Sequence, residues 1–229
     1  MIKHELPGLF IAFEGLDGSG SSTQVDLLVK ALNNLGYFAF GTKEPTNNLI
    51  GGLIRGALTH DWKASPECLQ LLFAADRAHH LQREVIPNLE KGNIVITDRY
   101  LFSTIAYGSI DMPRNWLLKL NERFILPDVT FYIRLTPREC LRRIGKSRHQ
   151  FELFEEMEKL KKVKSMYLTM SRRKNLNIMP INGFQTIDQI AEEILLITGK
   201  MLENRKGLHY RERDLFSQKK DRVVNHRPK

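Results

Sequence analysis

The stretch Leu9-Phe10-Ile11-Ala12-Phe13-Glu14-Gly15-Leu16-Asp17-Gly18-Ser19-Gly20-Ser21-Ser22-Thr23 decides how the chain folds. Its first five residues are a continuous apolar run, short enough for one strand buried on both faces. Glycines follow, and then Val25, Leu28, Val29, Leu32 and Leu35 recur at helical spacing until Gly36 stops the pattern. Strand, glycine-rich loop and helix therefore succeed one another without a spare residue. From Gly15 to Ser22 the pattern G-x-x-x-x-G-K-[ST] is met at every fixed position except the lysine, where Ser21 stands. In such a loop glycines let backbone N–H groups converge on phosphate oxygens, and the helix behind points its positive end at them. Gly15, Gly18, Ser19, Gly20, Ser21, Ser22 and Thr23 are thus candidate phosphate-binding residues, with the Ser22 hydroxyl placed for Mg²⁺. The alternative is an ordinary glycine-rich turn; the strand before it and the amphipathic helix after it favour phosphate binding.

Outward from this unit the same alternation continues. A second strand is expected over 37–42, then a loop marked by Pro45, Asn47 and Asn48, and Ser65-Pro66 opens a long helix running towards Pro87 and Gly92. Further strands are expected over 93–97, 129–135 and 177–181, and helices over 113–125, 137–144, through Leu153, Met157, Leu160 and Val163, and over 186–202. Strands separated by helices of this length need crossover connections, so the fold class is α/β, with a parallel five-stranded sheet and helices on both faces.

Composition narrows the setting. The 229 residues are 42% hydrophobic and 27% charged, which suits a globular chain and excludes disorder over its whole length. No uninterrupted apolar run exceeds five residues, far short of the ~20 that a membrane helix requires. Glu14 interrupts the first apolar stretch, so a signal peptide and export are not expected. Cys68 and Cys140 stand apart without a CxxC or His/Cys cluster, which argues against a disulfide framework or a zinc site and for a reducing compartment. Of the net charge of +9, residues 200–229 hold +6 and the rest +3. The expected division is a domain over 1–199 and a basic extension over 200–229. Nucleic-acid binding by the extension is not expected, since only Tyr210 and Phe216 could stack on bases there.

Three more segments share an order. Thr42-Lys43-Glu44-Pro45 follows the second strand, Phe73-Ala74-Ala75-Asp76-Arg77 lies on the long helix, and Asp98-Arg99-Tyr100 follows the third strand. With Phe13-Glu14-Gly15 and Asp17-Gly18, and with Phe102-Ser103, Ala106-Tyr107 and Pro127-Asp128-Val129-Thr130, the chain resembles the thymidylate kinases over about residues 9 to 197. The resemblance implies a P-loop NTPase fold with a short basic lid, and transfer of the γ-phosphoryl of ATP to the phosphate of thymidine monophosphate (dTMP), with Mg²⁺. It also implies a cytoplasmic homodimer.

Each residue's expected role follows from that resemblance. Asp98, at a strand end above the phosphate loop, would hold Mg²⁺ together with Ser22; otherwise it is a helix N-cap. Asp17 matches a carboxylate near the acceptor phosphate, or is a turn former beside Gly18. Lys43 stands where most relatives carry arginine and, with Glu44, Pro45 and Arg55, belongs to the monophosphate site; a point charge there replaces a planar fork. Arg77 would sit near base and acceptor phosphate, and Arg99 near the phosphates. Phe73, one helical turn before Arg77, would stack on thymine, with plain core as the alternative. Ser103 and Tyr107 complete the set, Tyr107 crowding the sugar's 2′ position, while Gly108 replaces a glutamine that bacterial members often carry. His79, His80 and His149 are expected to be structural, the first two on a helix surface or interface. Arg142, Arg143, Lys146, Arg148 and His149 occupy the family's lid position, and Arg143, Lys146 or Arg148 would supply the charge that Ser21 lacks. Two rivals stay open: a kinase for another deoxynucleoside monophosphate or a deoxynucleoside, and a catalytically silent nucleotide-binding protein.

Overall fold

A computed structural model of the chain describes residues 1–145 and 150–210, and of 150–155 the backbone alone. Five strands, β1 (Leu9–Gly15), β2 (Ala39–Lys43), β3 (Ile94–Asp98), β4 (Val129–Arg134) and β5 (Ile178–Asn182), form one parallel sheet in the order β2-β3-β1-β4-β5. The described helices are α1 (Ser21–Asn34), α2 (Leu49–Leu58), α3 (Pro66–His80), α4 (Ile86–Glu90), α5 (Leu101–Gly108), α6 (Arg114–Leu120), α7 (Pro137–Ile144), α8 (Gln150–Ser171) and α9 (Ile187–Glu203).

β1 is buried along its whole length, which is why its sequence does not alternate between apolar and polar. Leu9, Ile11 and Phe13 face a core made with Val25, Leu28 and Leu32 of α1 and Ile190 and Ile194 of α9. Phe10 and Ala12 face the other, with Leu101 and Ile105 of α5 and Val163 and Tyr167 of α8. β1 pairs with β3 on one side and β4 on the other, so its C-terminal end is where the strand order reverses and a crevice opens. The phosphate loop leaves the sheet at that point.

Several local expectations shift, each for a physical reason. The second strand begins at Ala39 because the N–H of Tyr37 turns back to the Leu32 carbonyl and closes the end of α1. The helix expected over 113–125 ends at Leu120, where the buried Asn121 leaves the helix and its side-chain oxygen accepts from Arg77. α2 and α5 stand outside the expected elements; the first is a short helix with Gly51 and Gly52 inside it, capped by the Asn48 side chain, and the second follows a strand by only two residues.

α3 passes into α4 through a π turn over Leu81–Val85, just before Pro87, which has no N–H to give to the helix ladder. Arg77, Leu81, Val85 and Leu89 are all buried at a spacing of four. The division expected after residue 199 falls inside α9, which runs on to Glu203 with Leu202 buried. Beyond it Arg205 donates to Asp128 at 2.7 Å and to the carbonyls of Leu6 and Pro7, and Tyr210 meets Tyr37 edge to face at 5.1 Å. Residues 200–210 therefore pack on the same body, while 211–229 lie outside the described residues.

Candidate active site

The phosphate loop is tight at Gly18, where it meets α7, and open at Gly20. Gly18 and Gly20 take φ values of 80° and 94°, a region that side chains disfavour, and a Cβ on Gly18 would lie 2.7 Å from the Cys140 carbonyl oxygen of α7. The first α1 hydrogen bond runs from Gln24 N–H to the Gly20 carbonyl at 3.2 Å, so the N–H groups of Ser21, Ser22 and Thr23 stand at the helix mouth without an i−4 acceptor. That is the donor set a phosphate needs.

Asp98, the last residue of β3, receives both neighbouring hydroxyls. Ser21 Oγ donates to its Oδ1 at 2.8 Å and Ser22 Oγ donates to its Oδ2. The lysine position is thus occupied by a short, buried hydroxyl side chain locked to a carboxylate. Among the described residues no group of three His, Cys, Asp or Glu side chains gathers as a metal cage. One carboxylate and one hydroxyl beside a phosphate loop suit Mg²⁺, which keeps waters and shares ligands with phosphates instead of needing an all-protein cage. Lys43 ends β2 in register with Asp98 and is exposed. It borders an open hollow with Ser22, Thr42, Thr46 and Asp98, and is not in the cavity that holds the other acceptor-side residues.

Arg99, next to Asp98, adopts φ 68° and turns its side chain back under the loop. It donates to Asp17 Oδ1 at 2.6 Å, to the Ser103 hydroxyl at 3.1 Å and to the Gly15 carbonyl at 3.3 Å, and lies 5.2 Å from the centre of the Tyr107 ring. Burial alone would lower the guanidinium's pKa, but Tyr107, Tyr167, Asp17 and Glu14 outweigh it and hold the value above the ordinary one. Tyr107 is pushed up to about 12, chiefly by burial, and accepts the Asp17 N–H at 3.1 Å.

Beneath this lies Glu14, which carried no assigned role in the sequence. It is fully buried; its Oε1 accepts the N–H groups of Tyr100 and Ser103, and its Oε2 accepts the hydroxyls of Ser103 and Tyr167, the latter at 2.8 Å. Burial raises its pKa to about 7 against the hydrogen bonds and the Arg99 charge that favour ionisation. A glutamate inside an apolar strand was the available signal, since so costly a burial needs a dedicated set of donors.

A cavity of about 320 Å³ opens between α3 and α5 and reaches the phosphate loop. Phe73, Arg77, Arg99, Ser103, Tyr107, Glu44, Pro45 and Asp17 all line it, so most of the predicted acceptor-side residues are brought together. Arg77 is 1% exposed and held on all sides. Its Nε and Nη2 donate to Glu44 Oε2 at 2.9 and 2.7 Å, Nη2 also donates to Thr104 at 2.9 Å, and Nη1 donates to Asn121. Glu44 is therefore spent on positioning Arg77. His80 corrects the expectation of a surface role: it is buried, with Nδ1 3.1 Å from Glu44 Oε1 and Nε2 2.8 Å from the Thr42 hydroxyl. His79 is exposed and meets Asn48. Arg55 also departs from its expected place, since its guanidinium donates to the Thr46 carbonyl and lines neither cavity. It braces the loop after β2, where Asp76 accepts the N–H and hydroxyl of Thr46.

Of the lid cations, Arg143 is described and committed. It donates to Glu139 at 2.9 Å and to the Gly183 carbonyl at 3.1 Å, while Arg142 grips the same Glu139 and, with Arg143, holds that carboxyl down at about 2. Lys146, Arg148 and His149 lie outside the described residues.

Comparison with known proteins now adds to this geometry. The thymidylate kinase family model matches residues 13–194. The chain is 36% identical over 190 residues to a probable thymidylate kinase of Pyrobaculum calidifontis, covering 82% of this chain and 95% of that one. It is 34% identical over 204 residues to one of Thermococcus kodakarensis (85% and 98%), and 35% identical over 188 residues to one of Methanocaldococcus jannaschii (82% and 94%). The match starts inside β1 and ends inside α9, so it takes in both the phosphate loop and the acceptor cavity, and the chain belongs to the thymidylate kinase family.

Proposed function

We propose that this chain transfers the γ-phosphoryl group of ATP to the phosphate of dTMP, giving the diphosphate, in the cytoplasm and as a homodimer. The observation that carries the reading is the cavity itself: an apolar slot flanked by Phe73, Leu69 and Ile110 runs without a wall into Arg99 and Asp17 of the phosphate loop. A flat base fits the slot, and an anion at its inner end meets a fixed guanidinium. The exposed Leu49, Leu53 and Leu71 of α2 and α3 support an apolar contact between subunits. Among the described residues no helix is long and apolar enough to cross a membrane.

The acceptor oxygen belongs to a phosphate already ionised near neutral pH, so no side chain has to remove a proton. Catalysis then rests on alignment and on charge. Phe73 stacks on the base, Tyr107 stands against the sugar, and Arg99, held by Asp17, Ser103 and Gly15, faces the acceptor phosphate. The loop N–H groups from Gly18 to Thr23 cradle the ATP phosphates. Ser22 and Asp98 would hold Mg²⁺, which when bound supplies positive charge to the phosphate oxygens. Arg143, Lys146 or Arg148 adds the cation that Ser21 does not.

A coupled assay with Mg·ATP and a panel of nucleoside monophosphates tests the reading. dTMP should be turned over best, and its ribose counterpart at least ~10-fold less efficiently in kcat/KM, because a 2′-hydroxyl would be crowded by the Tyr107 ring that lines the cavity. Equal turnover of the ribonucleotide would remove Tyr107 from its role. Silence with every acceptor would favour a nucleotide-binding protein without catalysis, the reading that Ser21 alone suggests.

A further inference from the structure

Gln70 sits one turn before Phe73 on α3, is 7% exposed, and lines the acceptor cavity beside Phe73, Arg77, Thr104 and Tyr107. Its Oε1 is buried and meets no donor among the described residues. Space for the carboxamide comes from Gly108 on α5: a Cβ built there would lie 3.0 Å from Gln70 Cδ and Oε1, inside ordinary contact distance. The helix facing Gln70 has given up a side chain, and the amide has taken the room without taking a partner. Such an orphan is destabilising in a free protein, because a buried polar atom left unpaired forfeits its hydration.

Most of the other buried polar groups of the cavity already have partners. Glu44 is held by Arg77 and His80, Asp17 by Arg99, and the Thr104 hydroxyl accepts from Arg77. Arg77 itself offers only donors. A pyrimidine lying on Phe73 presents an in-plane edge that carries an N3–H between two carbonyls, and such an edge requires a buried acceptor next to a donor. A primary carboxamide supplies both in one plane, the geometry by which Asn and Gln read base edges. We infer that Gln70 is a base-reading residue: Oε1 accepts from N3–H of the bound base and Nε2 donates to an adjacent ring carbonyl. This inference rests on dTMP being the acceptor. No described side chain anchors the amide, so it can turn over and offer the reversed pattern to cytosine. Gln70 therefore supplies affinity for the pyrimidine edge, and the donor-only Arg77 supplies discrimination against the cytosine amino group.

The test uses the full chain and two ligands, dTMP and its N3-methyl analogue, with KM and kcat measured separately. The parent should bind the N3-methyl compound at least about tenfold more weakly than dTMP. Gln70→Leu, of similar volume, should raise KM for dTMP by about five- to twentyfold with kcat within about twofold, and the penalty for N3-methylation should shrink by a similar factor. Its melting temperature should equal or exceed that of the parent, because the orphan oxygen is gone; a purely structural glutamine would instead lower it. Gln70→Met provides the same comparison if the leucine variant does not fold. A variant KM within twofold of the parent, or an undiminished N3-methyl penalty in the variant, overturns the inference and leaves the dTMP kinase reading standing. A parent that turns over other monophosphates but not dTMP overturns both.

Discussion

The acceptor side and the donor side of the site solve the same problem, holding anions close together, in opposite ways. On the acceptor side both guanidiniums are built in: Arg77 is buried among Glu44, Thr104 and Asn121, and Arg99 is fastened to Asp17, Ser103 and the Gly15 carbonyl. On the donor side the position of the usual lysine holds Ser21, whose hydroxyl is bound to Asp98. On the proposed reading, the difference teaches that positive charge is permanent around the acceptor and has to arrive, with a metal or a lid cation, around ATP. One half is preorganised by the core and the other is completed by its ligand.

The comparison breaks most decisively at Arg77. Replacing it with Met removes one member of a buried ion pair and leaves Glu44 with only His80, which should cost roughly 3–5 kcal/mol in urea unfolding. A loss below about 1 kcal/mol would show that the acceptor side is not rigid.

Glu14, at the seam between the halves, gives the next largest effect. Its carboxyl titrates near 7 in the fold against an ordinary value of 4.5, so the folded protein binds the extra proton between those pH values. Stability from this group is accordingly lost as pH rises through that window, by up to about 3 kcal/mol. Relative to Glu14→Gln, the parent should be less stable at pH 8 than at pH 5 by about that much; parallel pH profiles for the two proteins would show that Glu14 is charged throughout.

On the donor side, Asp98→Ala should lower kcat by about a hundredfold, or ~2.7 kcal/mol, and raise the Mg²⁺ concentration needed for half-maximal rate. A fall of less than tenfold in a folded variant would take Asp98 out of the metal site. The smallest effect expected is in the lid. Among Arg143→Ala, Lys146→Ala and Arg148→Ala, at least one should lower kcat by about tenfold, roughly 1.4 kcal/mol, and adding Ser21→Lys should restore part of the loss. Three variants at the parent rate would sink the lid hypothesis and move the missing charge to another side chain. Arg143 is already paired with Glu139 and Gly183, so for it to serve, those bonds must open on closure.

What could be read from the chain beforehand was what local spacing determines. The apolar run 9–13, the glycines at 15, 18 and 20, and the one-turn interval between Phe73 and Arg77 each act through neighbours in sequence. What escaped depended on partners far along the chain. His80 lies inside because Glu44 and Thr42, 36 and 38 positions away, reach it, and α6 stops at Asn121 because Arg77 claims that side chain from 44 positions away. The division after residue 199 followed the charge count, whereas Leu202 and Arg205 pack by shape and by pairing with Asp128. Glu14 showed its identity but not its depth, which needed α5 and α8 folded over it.

The π turn between α3 and α4 has a consequence for chain length. Residues advance by about 100° in an α-helix, so a strict spacing of four from Arg77 to Leu89 would drift by about 120° around the axis. The wider turn over Leu81–Val85 absorbs one residue and returns Leu81, Val85 and Leu89 to the face that carries Arg77. The segment therefore holds one residue more than an uninterrupted helix of the same phase would use. Deleting a residue within it would keep Phe73 and Arg77 facing the cavity and Leu89 in the core, with Pro87 still leaving one gap in the hydrogen-bond ladder. A deletion elsewhere along 66–90 would turn one end away from its partners. This is where the long helix of this chain can lose a residue without changing what either end touches.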